Sequence, residues 1–492
     1  MKLRILVGLI GLFTFGATVD QTQAVTQALT VTVIPSSGTC QNANADSGSG
    51  IITVNYATTC GPMPPVAGYL TTINPYNHTS QSAQMQAMGA VGERTFWLPA
   101  CWSTGPGTFN FTNGTCNPGD YGDDGVLNNI QADGAVPIIG FGGGPNIPAS
   151  WEARCQPPSG PTIPCSDTEF QNILIGGLQH LATAFPAITL IHDANEPDCN
   201  GGGNGCDNGA FQMSTIVQLS HDIAVAVNTV NAQLGTKHFL HGGPDPAFCQ
   251  YFDMDGFVAG LVAAGTPPDF ISYHIYPQTD LMDCVNKVKS ALSNHGLDPN
   301  LLQICTECST TGAIAGTAQQ AAWYASDYWY ATLANNLNAR QYQWDRQQGY
   351  LDNPFNGCNA ANCVGEAYNA ALIFHKHKAN RISPSAVTGQ ASIYHPVATS
   401  DASGVALSLS TYQTTGTVTI NLNNLPAAFS NAAFTWQEFL VSGSTSNWQA
   451  GNPANGALQT VASGTNPGAS SWTHSVTISD PNTVLIFVLT HG

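Results

Sequence analysis

The chain has 492 residues, 30 acidic against 12 basic, for a formal charge of −18. That balance excludes nucleic acid and anionic membrane surfaces as partners, since both would repel it, whereas a neutral polysaccharide would not. With 43% hydrophobic residues, the chain is long enough for a large core and more than one domain.

Lys2 and Arg4 precede an apolar run from Ile5 to Phe15, and Thr22-Gln23-Ala24 follows as a cleavage position, so residues 1–24 read as a secretory signal peptide. The run is shorter than the ~20 apolar residues of a membrane span, and no later segment reaches that length. The expected protein is secreted. In an exported chain, 14 cysteines point to disulfides. Closeness in sequence pairs Cys40 with Cys60, Cys101 with Cys116, Cys155 with Cys165, Cys199 with Cys206 and Cys358 with Cys363. Cys249, Cys284, Cys305 and Cys308 remain open among their possible connectivities. The CxxC spacing of Cys305-Thr-Glu-Cys308 also carries a rival reading, a thioredoxin-like thiol oxidoreductase.

From Val25 to about residue 65 the chain alternates β-type residues (LTVTVI, then IITVNY) without a helical segment between them; these strands are expected to join a terminal sandwich. From residue 66 to 386 strand and helix alternate. Strands are expected near Ala67–Ile73, Arg94–Leu98, Val136–Phe141, Ile188–Ile191, His238–His241, Phe270–His274, Leu301–Thr306 and Gln341–Trp344. Amphipathic helices fall between them, among them Glu169–Ala184 and Met213–Leu234. Eight such alternations predict a closed parallel (β/α)8 TIM barrel, an α/β fold. Residues 387–492 read as short strands separated by turns (ALSLSTY, GTVTINL, AAFTWQEFL, HSVTI, TVLIFVL), which predicts a C-terminal antiparallel β-sandwich.

In such a barrel the carboxyl ends of the strands hold the active site. Those ends carry Arg94 and Trp97 on the second strand, Asn195 and Glu196 on the fourth, His274 and Tyr276 on the sixth, Glu307 on the seventh and Trp344 on the eighth. Asn195-Glu196-Pro197 also suits a helix N-terminus, where all three residue types are common. Two glutamates on strands four and seven can face one another across the barrel mouth, and a retaining glycosidase needs that pair, one as acid/base and one as nucleophile. Arg94 would hold the nucleophile ionised. Trp97 and Trp344 offer flat apolar faces of the kind sugar rings stack on.

Together the segments RTFWLPACW (Arg94–Trp102), NEP (Asn195–Pro197), GGP (Gly242–Pro244), FISYHIYP (Phe270–Pro277), ICTEC (Ile304–Cys308) and QYQW (Gln341–Trp344) resemble the retaining (β/α)8 enzymes of glycoside hydrolase clan A. They are most similar to glycoside hydrolase family 39, with families 30, 79 and 5 as neighbours. The resemblance implies Glu196 as acid/base, Glu307 as nucleophile, Asn195 as partner of the sugar 2-hydroxyl, and Arg94 and Tyr276 as orienters of the nucleophile. It implies a carbohydrate substrate, a neutral β-linked glycan, hydrolysed without a cofactor. A barrel that binds carbohydrate without cleaving it is the alternative.

Other clusters of chemistry-bearing residues read as structure. His192 and Glu196 share a strand face but stand too far apart to chelate, and His375 and His377 read as a solvated helix face. Asp120, Asp123 and Asp124 lack the ligand spacing of a calcium loop. No metal site is expected. Trp323, Tyr324, Tyr328 and Trp329 fall at helical spacing and read as core.

Overall fold

The structure is a computed structural model describing residues 50–71, 82–105, 107–112, 124–141, 167–193, 195–198, 212–276, 280–309, 314, 316–343, 365–388, 393–447 and 456–492. The first strand, β1 (Ile51–Pro62), precedes the barrel in the chain. Eight parallel strands close the barrel: β2 (Tyr69–Thr71), β3 (Gly92–Phe96), β6 (Val136–Gly140), β7 (Leu190–His192), β8 (Leu240–Pro244), β9 (Phe270–Ile275), β10 (Leu302–Cys308) and β11 (Ala339–Gln343). They neighbour one another in chain order, and β11 closes onto β2. Between β3 and β6, β4 (Ser103–Gly105) and β5 (Thr108–Phe109) form a small hairpin.

All eight expected strands are present, with ends displaced by a few residues. β8 runs on to Pro244, past the expected end at His241, because its glycines let neighbouring strands close in. A Cβ on Gly242 would stand 2.3 Å from the Phe270 carbonyl oxygen, and one on Gly243 would stand 1.9 Å from Asp193 Oδ2. The helix Asp167–Ala184 buries Phe170, Ile173, Leu174, Leu178 and Leu181 at the 3.6-residue period expected of it. The helix Met213–Leu234 stops at Gly235, whose φ of 68° a side chain would resist. Inside the barrel, Ile138, Leu190, Phe270, Leu302, Ile304 and Tyr342 form the filling of a packed core rather than a pore.

The remaining strands are β12 (Asn380–Thr388), β13 (Val397–Asp401), β14 (Gly404–Thr411), β15 (Gly416–Asn423), β16 (Phe434–Val441), β17 (Gln459–Asn466), β18 (Trp472–Ile478) and β19 (Thr483–His491). With β1 they form one nine-stranded sheet in the order β17-β16-β19-β14-β13-β12-β1-β15-β18. The sheet curls so far that Trp436 on β16 and Trp472 on β18, near opposite edges, have ring centroids 5.8 Å apart. Val54, Leu407, Val418 and Phe487 are enclosed between the two halves. The domain is thus sandwich-like, but it is one curled sheet, and mixed rather than purely antiparallel. β1 runs antiparallel to β12 and parallel to β15, because it comes from the other end of the chain and fills the place between them.

Barrel and curled sheet share a core. Val397, Ala406, Val441, Val484 and Ile486 of the sheet pack in one cluster with Ala321, Tyr324, Trp329 and Ile373 of the barrel helices. Each of these valine and isoleucine side chains contributes roughly 1.5–3 kcal/mol when fully buried. Trp323, Tyr324, Tyr328 and Trp329 are core residues, as expected, although Tyr324–Tyr330 winds as a π-helix. His377 corrects the solvated-face expectation: it bonds Thr399 Oγ1 at 3.0 Å and Ser408 Oγ at 2.9 Å, stitching the last barrel helix to the sheet.

Candidate active site

Arg94, on β3, is fully buried and lies at the centre of the barrel mouth. Its Nη1 donates to Glu307 Oε1 at 2.5 Å. Its Nη2 donates to Asn195 Oδ1 at 2.7 Å and to Asp245 Oδ2 at 3.1 Å, and its Nε donates to His192 Nε2 at 3.3 Å. The guanidinium plane lies over the Phe96 ring, 4.4 Å from its centroid. A buried cation is costly unless its donors are satisfied, and the five donors of a guanidinium suit a cluster of acceptors of this kind.

Glu196 follows β7 in the left-handed region, with φ 48°, where a residue with a side chain is uncommon. Its amide donates to the Asp245 carbonyl at 2.9 Å, which ties the conformation to the end of β8. Asp198 Oδ1 accepts from the Ala247 amide at 2.8 Å and joins the same two loops again. Opposite, Glu307 on β10 accepts from Arg94 through Oε1 and from the Tyr276 hydroxyl through Oε2 at 2.6 Å. Between the two glutamates stands His274, buried, with Nδ1 3.1 Å from Glu196 Oε1 and 3.6 Å from Glu307 Oε2. One carboxylate oxygen from each glutamate and a His274 nitrogen all lie within 4.8 Å of one another.

The two glutamates therefore differ in surroundings. Burial pulls the Glu196 carboxyl up, but the hydrogen bond and charge of His274, helped by Arg94, outweigh it and hold the group below its ordinary value. This differs from the raised value expected of an acid, and the cause is the imidazole at 3.1 Å. Burial pulls His274 down, while the charge of Glu307 and the contact with Glu196 prevail and raise it. The two opposite shifts favour the proton on His274 over Glu196. Burial and the Glu307 charge push the Tyr276 hydroxyl well above its ordinary value, so it stays a donor. Burial works against an ionised Asp245, but the contact with His192 and the charge of Arg94 hold it well below the usual carboxylate range. His192 is lowered, by burial first. His192 accepts from Arg94 at Nε2 and sets its Nδ1 against Asp245 Oδ2.

Of the residues singled out in the sequence, Arg94, Asn195, Glu196, His274, Tyr276 and Glu307 come together at this mouth. Trp97 does not. It is fully buried, its ring centroid 4.7 Å from that of Trp102 and 5.5 Å from that of Phe111, so it is core and offers no face to a sugar. The strand ends before it, and Pro99–Trp102 turns inward as a short helix over Gly177. Trp344 lies outside the described residues, as do Cys40, Cys116, Cys155, Cys165, Cys199, Cys206, Cys358 and Cys363. Cys60 and Cys101 are disulfide-bonded. The open connectivity resolves as Cys249–Cys284 and Cys305–Cys308, so the CxxC pair is a buried cystine.

Sequence reasoning missed Asp245 and read His192 as structural, whereas both complete the arginine's shell from at or just beyond strand ends. It also missed Phe248 and Tyr251, on the loop after β8. Phe248 is half-buried with its ring 6.1 Å from that of Tyr276, and Tyr251 is 6.2 Å further on and 79% exposed. The Cys249–Cys284 bond anchors this loop, and Lys287 Nζ donates to the carbonyls of Cys249 at 3.2 Å and Gln250 at 2.9 Å.

The trio Glu196, His274 and Glu307 has the donor types of a metal site. Both oxygens of Glu307 are already committed, however, and a guanidinium 2.5 Å away repels a cation. A concavity of about 860 Å³ lies at the opposite, amino-terminal face between Pro64–Gly68, Gln131 and Phe374–Ala379, and it contains none of these residues.

No protein-family model matches the chain, and no curated protein matches it in sequence. Solved structures do match in fold. A glucosidase from Croceicoccus marinus superposes with a TM-score of 0.65 at 14% identity, covering 91% of this chain and 100% of its own. A monomeric β-xylosidase from Caulobacter crescentus CB15 gives 0.66 at 13%, covering 90% and 100%. The family 39 enzyme from Xanthomonas axonopodis pv. citri gives 0.66 at 13%, covering 91% and 98%. The chain thus shares the overall fold of these solved structures, a closed (β/α)8 barrel with an appended curled, sandwich-like β-sheet.

Proposed function

We propose that this protein is a secreted glycoside hydrolase that cleaves a β-linked polysaccharide or oligosaccharide with retention of anomeric configuration. One observation carries the reading: Glu196 and Glu307 present oxygens within 4.8 Å of each other across the mouth, with different partners on each. Retaining enzymes hold the two carboxyl groups about 5–5.5 Å apart so that one attacks directly, whereas inverting enzymes leave about 6.5–9.5 Å for a water. The fold likeness to proteins named glucosidase and β-xylosidase points the same way. The apolar run before residue 16 and the cystines support secretion.

In the first step Glu307, aimed by Arg94 and Tyr276, attacks the anomeric carbon while Glu196 protonates the departing oxygen. The proton is stored at His274 Nδ1 and reaches Glu196 across the 3.1 Å hydrogen bond. In the second step Glu196 takes a proton from water, which displaces Glu307 from the glycosyl ester. Asn195 gives its carbonyl oxygen to Arg94, which leaves its amide hydrogens for a sugar hydroxyl. Phe248 and Tyr251 supply aromatic faces for the sugar, a role the buried Trp97 does not fill.

The test is hydrolysis of a panel of β-glucan, xylan, mannan and galactan, followed by labelling with a fluorosugar that traps the glycosyl-enzyme. Label on Glu307, with Glu196→Ala sparing only activated aryl glycosides, is expected. Label on another residue, or equal losses for the two single alanine variants on good and poor leaving groups, refutes the assignment. A protein that binds these glycans and cleaves none would be a carbohydrate-binding barrel.

A further inference from the structure

Thr306 and Glu307 are consecutive on β10, and both point into the barrel, which regular alternation forbids. Leu302 and Ile304 belong to the cluster inside the barrel, and Cys305 and Cys308 to the cluster outside it, beneath the helices. Alternation from Ile304 would send Thr306 inward and Glu307 outward. Thr306 is inward, its Oγ1 donating to Asp245 Oδ1 at 2.9 Å. Glu307 is inward too, because the ladder skips a residue. On β9, Tyr273 faces Cys305, but the next residue, His274, faces Glu307, and the ladder to β11 breaks between Cys305 and Cys308. This is a β-bulge, a device that re-aims a side chain. Without it His274 would face Thr306, and Glu307 would turn away from Arg94 and Tyr276 toward the helices.

The two residues that flank the bulge, Cys305 and Cys308, are joined to each other, with Cα atoms 5.8 Å apart. Three steps of a regular strand span about 10 Å, beyond the reach of a disulfide. The cross-link therefore cannot coexist with the unbulged ladder. We propose that the Cys305–Cys308 disulfide is a positioning clamp that keeps Glu307 turned into the mouth, so that it governs turnover rather than serving only as a staple. The proposal rests on Glu307 being the nucleophile. Cys249–Cys284, which anchors a loop, makes the natural comparison.

The experiment compares Cys305→Ala/Cys308→Ala with Cys249→Ala/Cys284→Ala, both assayed well below their melting temperatures. Removing either cystine lowers stability. Removing the clamp should also lower kcat on the order of a hundredfold, the effect of about a 1 Å misplacement, with KM within about twofold. Amide exchange in the peptide covering 302–308 should quicken in the clamp variant alone. A kcat within about twofold of wild type's, or unchanged exchange, overturns the clamp. If the variant does not fold, wild-type enzyme is exposed to tris(2-carboxyethyl)phosphine in graded sub-denaturing urea, with each cystine followed by alkylation and mass spectrometry. Activity should then fall with reduction of Cys305–Cys308 and return on reoxidation, and activity that survives its full reduction overturns the clamp. Fluorosugar label on Glu307 with an unimpaired clamp variant refutes the clamp alone, whereas label elsewhere refutes the function on which it rests.

Discussion

Replacing Arg94 by Met tests the centre of the site. The guanidinium is fully buried and joins Glu307, Asn195, Asp245 and His192, so its loss strands two carboxylates that are themselves 3% exposed or less. Removing one partner from a buried ionic group costs about 3–5 kcal/mol, because the uncompensated charge remains. The aim of Glu307 is lost as well, and a misplaced reacting group costs on the order of a hundredfold in rate. Adding Asp245→Asn removes one stranded charge. The double variant Arg94→Met/Asp245→Asn should therefore be more stable than the sum of the two single effects predicts, with a coupling of roughly 0.5–3 kcal/mol. Urea unfolding followed by tryptophan fluorescence measures stability, and kcat/KM on the cleaved glycan measures activity. Strict additivity, or an Arg94→Met protein within about 1 kcal/mol of wild type, would refute the view of Arg94 as the cation that makes this cluster of anions possible.

The paired shifts of Glu196 and His274 set a pH window. The lowered Glu196 contributes stability that is present above its unfolded value of about 4.3 and lost as pH falls through its folded one, while the raised His274 contributes below about 6.5 and loses it as pH rises through its folded value. The basic limb of kcat/KM should lie above about pH 6.5 and belong to the coupled pair, and His274→Asn should move it to lower pH; an unmoved limb would count against storage of the proton on His274. Tyr251→Ala, at a 79% exposed ring, should raise KM for oligosaccharides by up to about tenfold, a loss of about 1.4 kcal/mol, and leave Tm unchanged; equal KM values would remove Tyr251 from the substrate path. Ending the chain at residue 388 strips β1 of its partner β15 and uncovers the core shared by barrel and sheet. Light scattering and calorimetry should find aggregated protein without a cooperative melt, and a soluble, active product would show the barrel to be self-sufficient.

Local pattern was enough to read eight strands, the helices between them and the sandwich-like end, because periods of 2 and 3.6 are written in adjacent residues. It was also enough to find Arg94, Asn195, Glu196, His274, Tyr276 and Glu307, since a barrel exposes its strand ends at one face wherever they fall in the chain. Tertiary structure decided the rest. Trp97 lies three residues past Arg94, just beyond the end of β3, yet whether its ring meets a sugar or Trp102 depends on where Pro99–Trp102 turns. Asp245 follows a run shared with many turns, and only the approach of β8 to Arg94 makes it part of the ionic cluster. The pairing of four cysteines allowed three answers until distance chose between them. The bulge at Thr306 leaves no mark in composition, because it is a mismatch between β10 and its neighbours, and a register belongs to a pair of strands and not to either sequence alone.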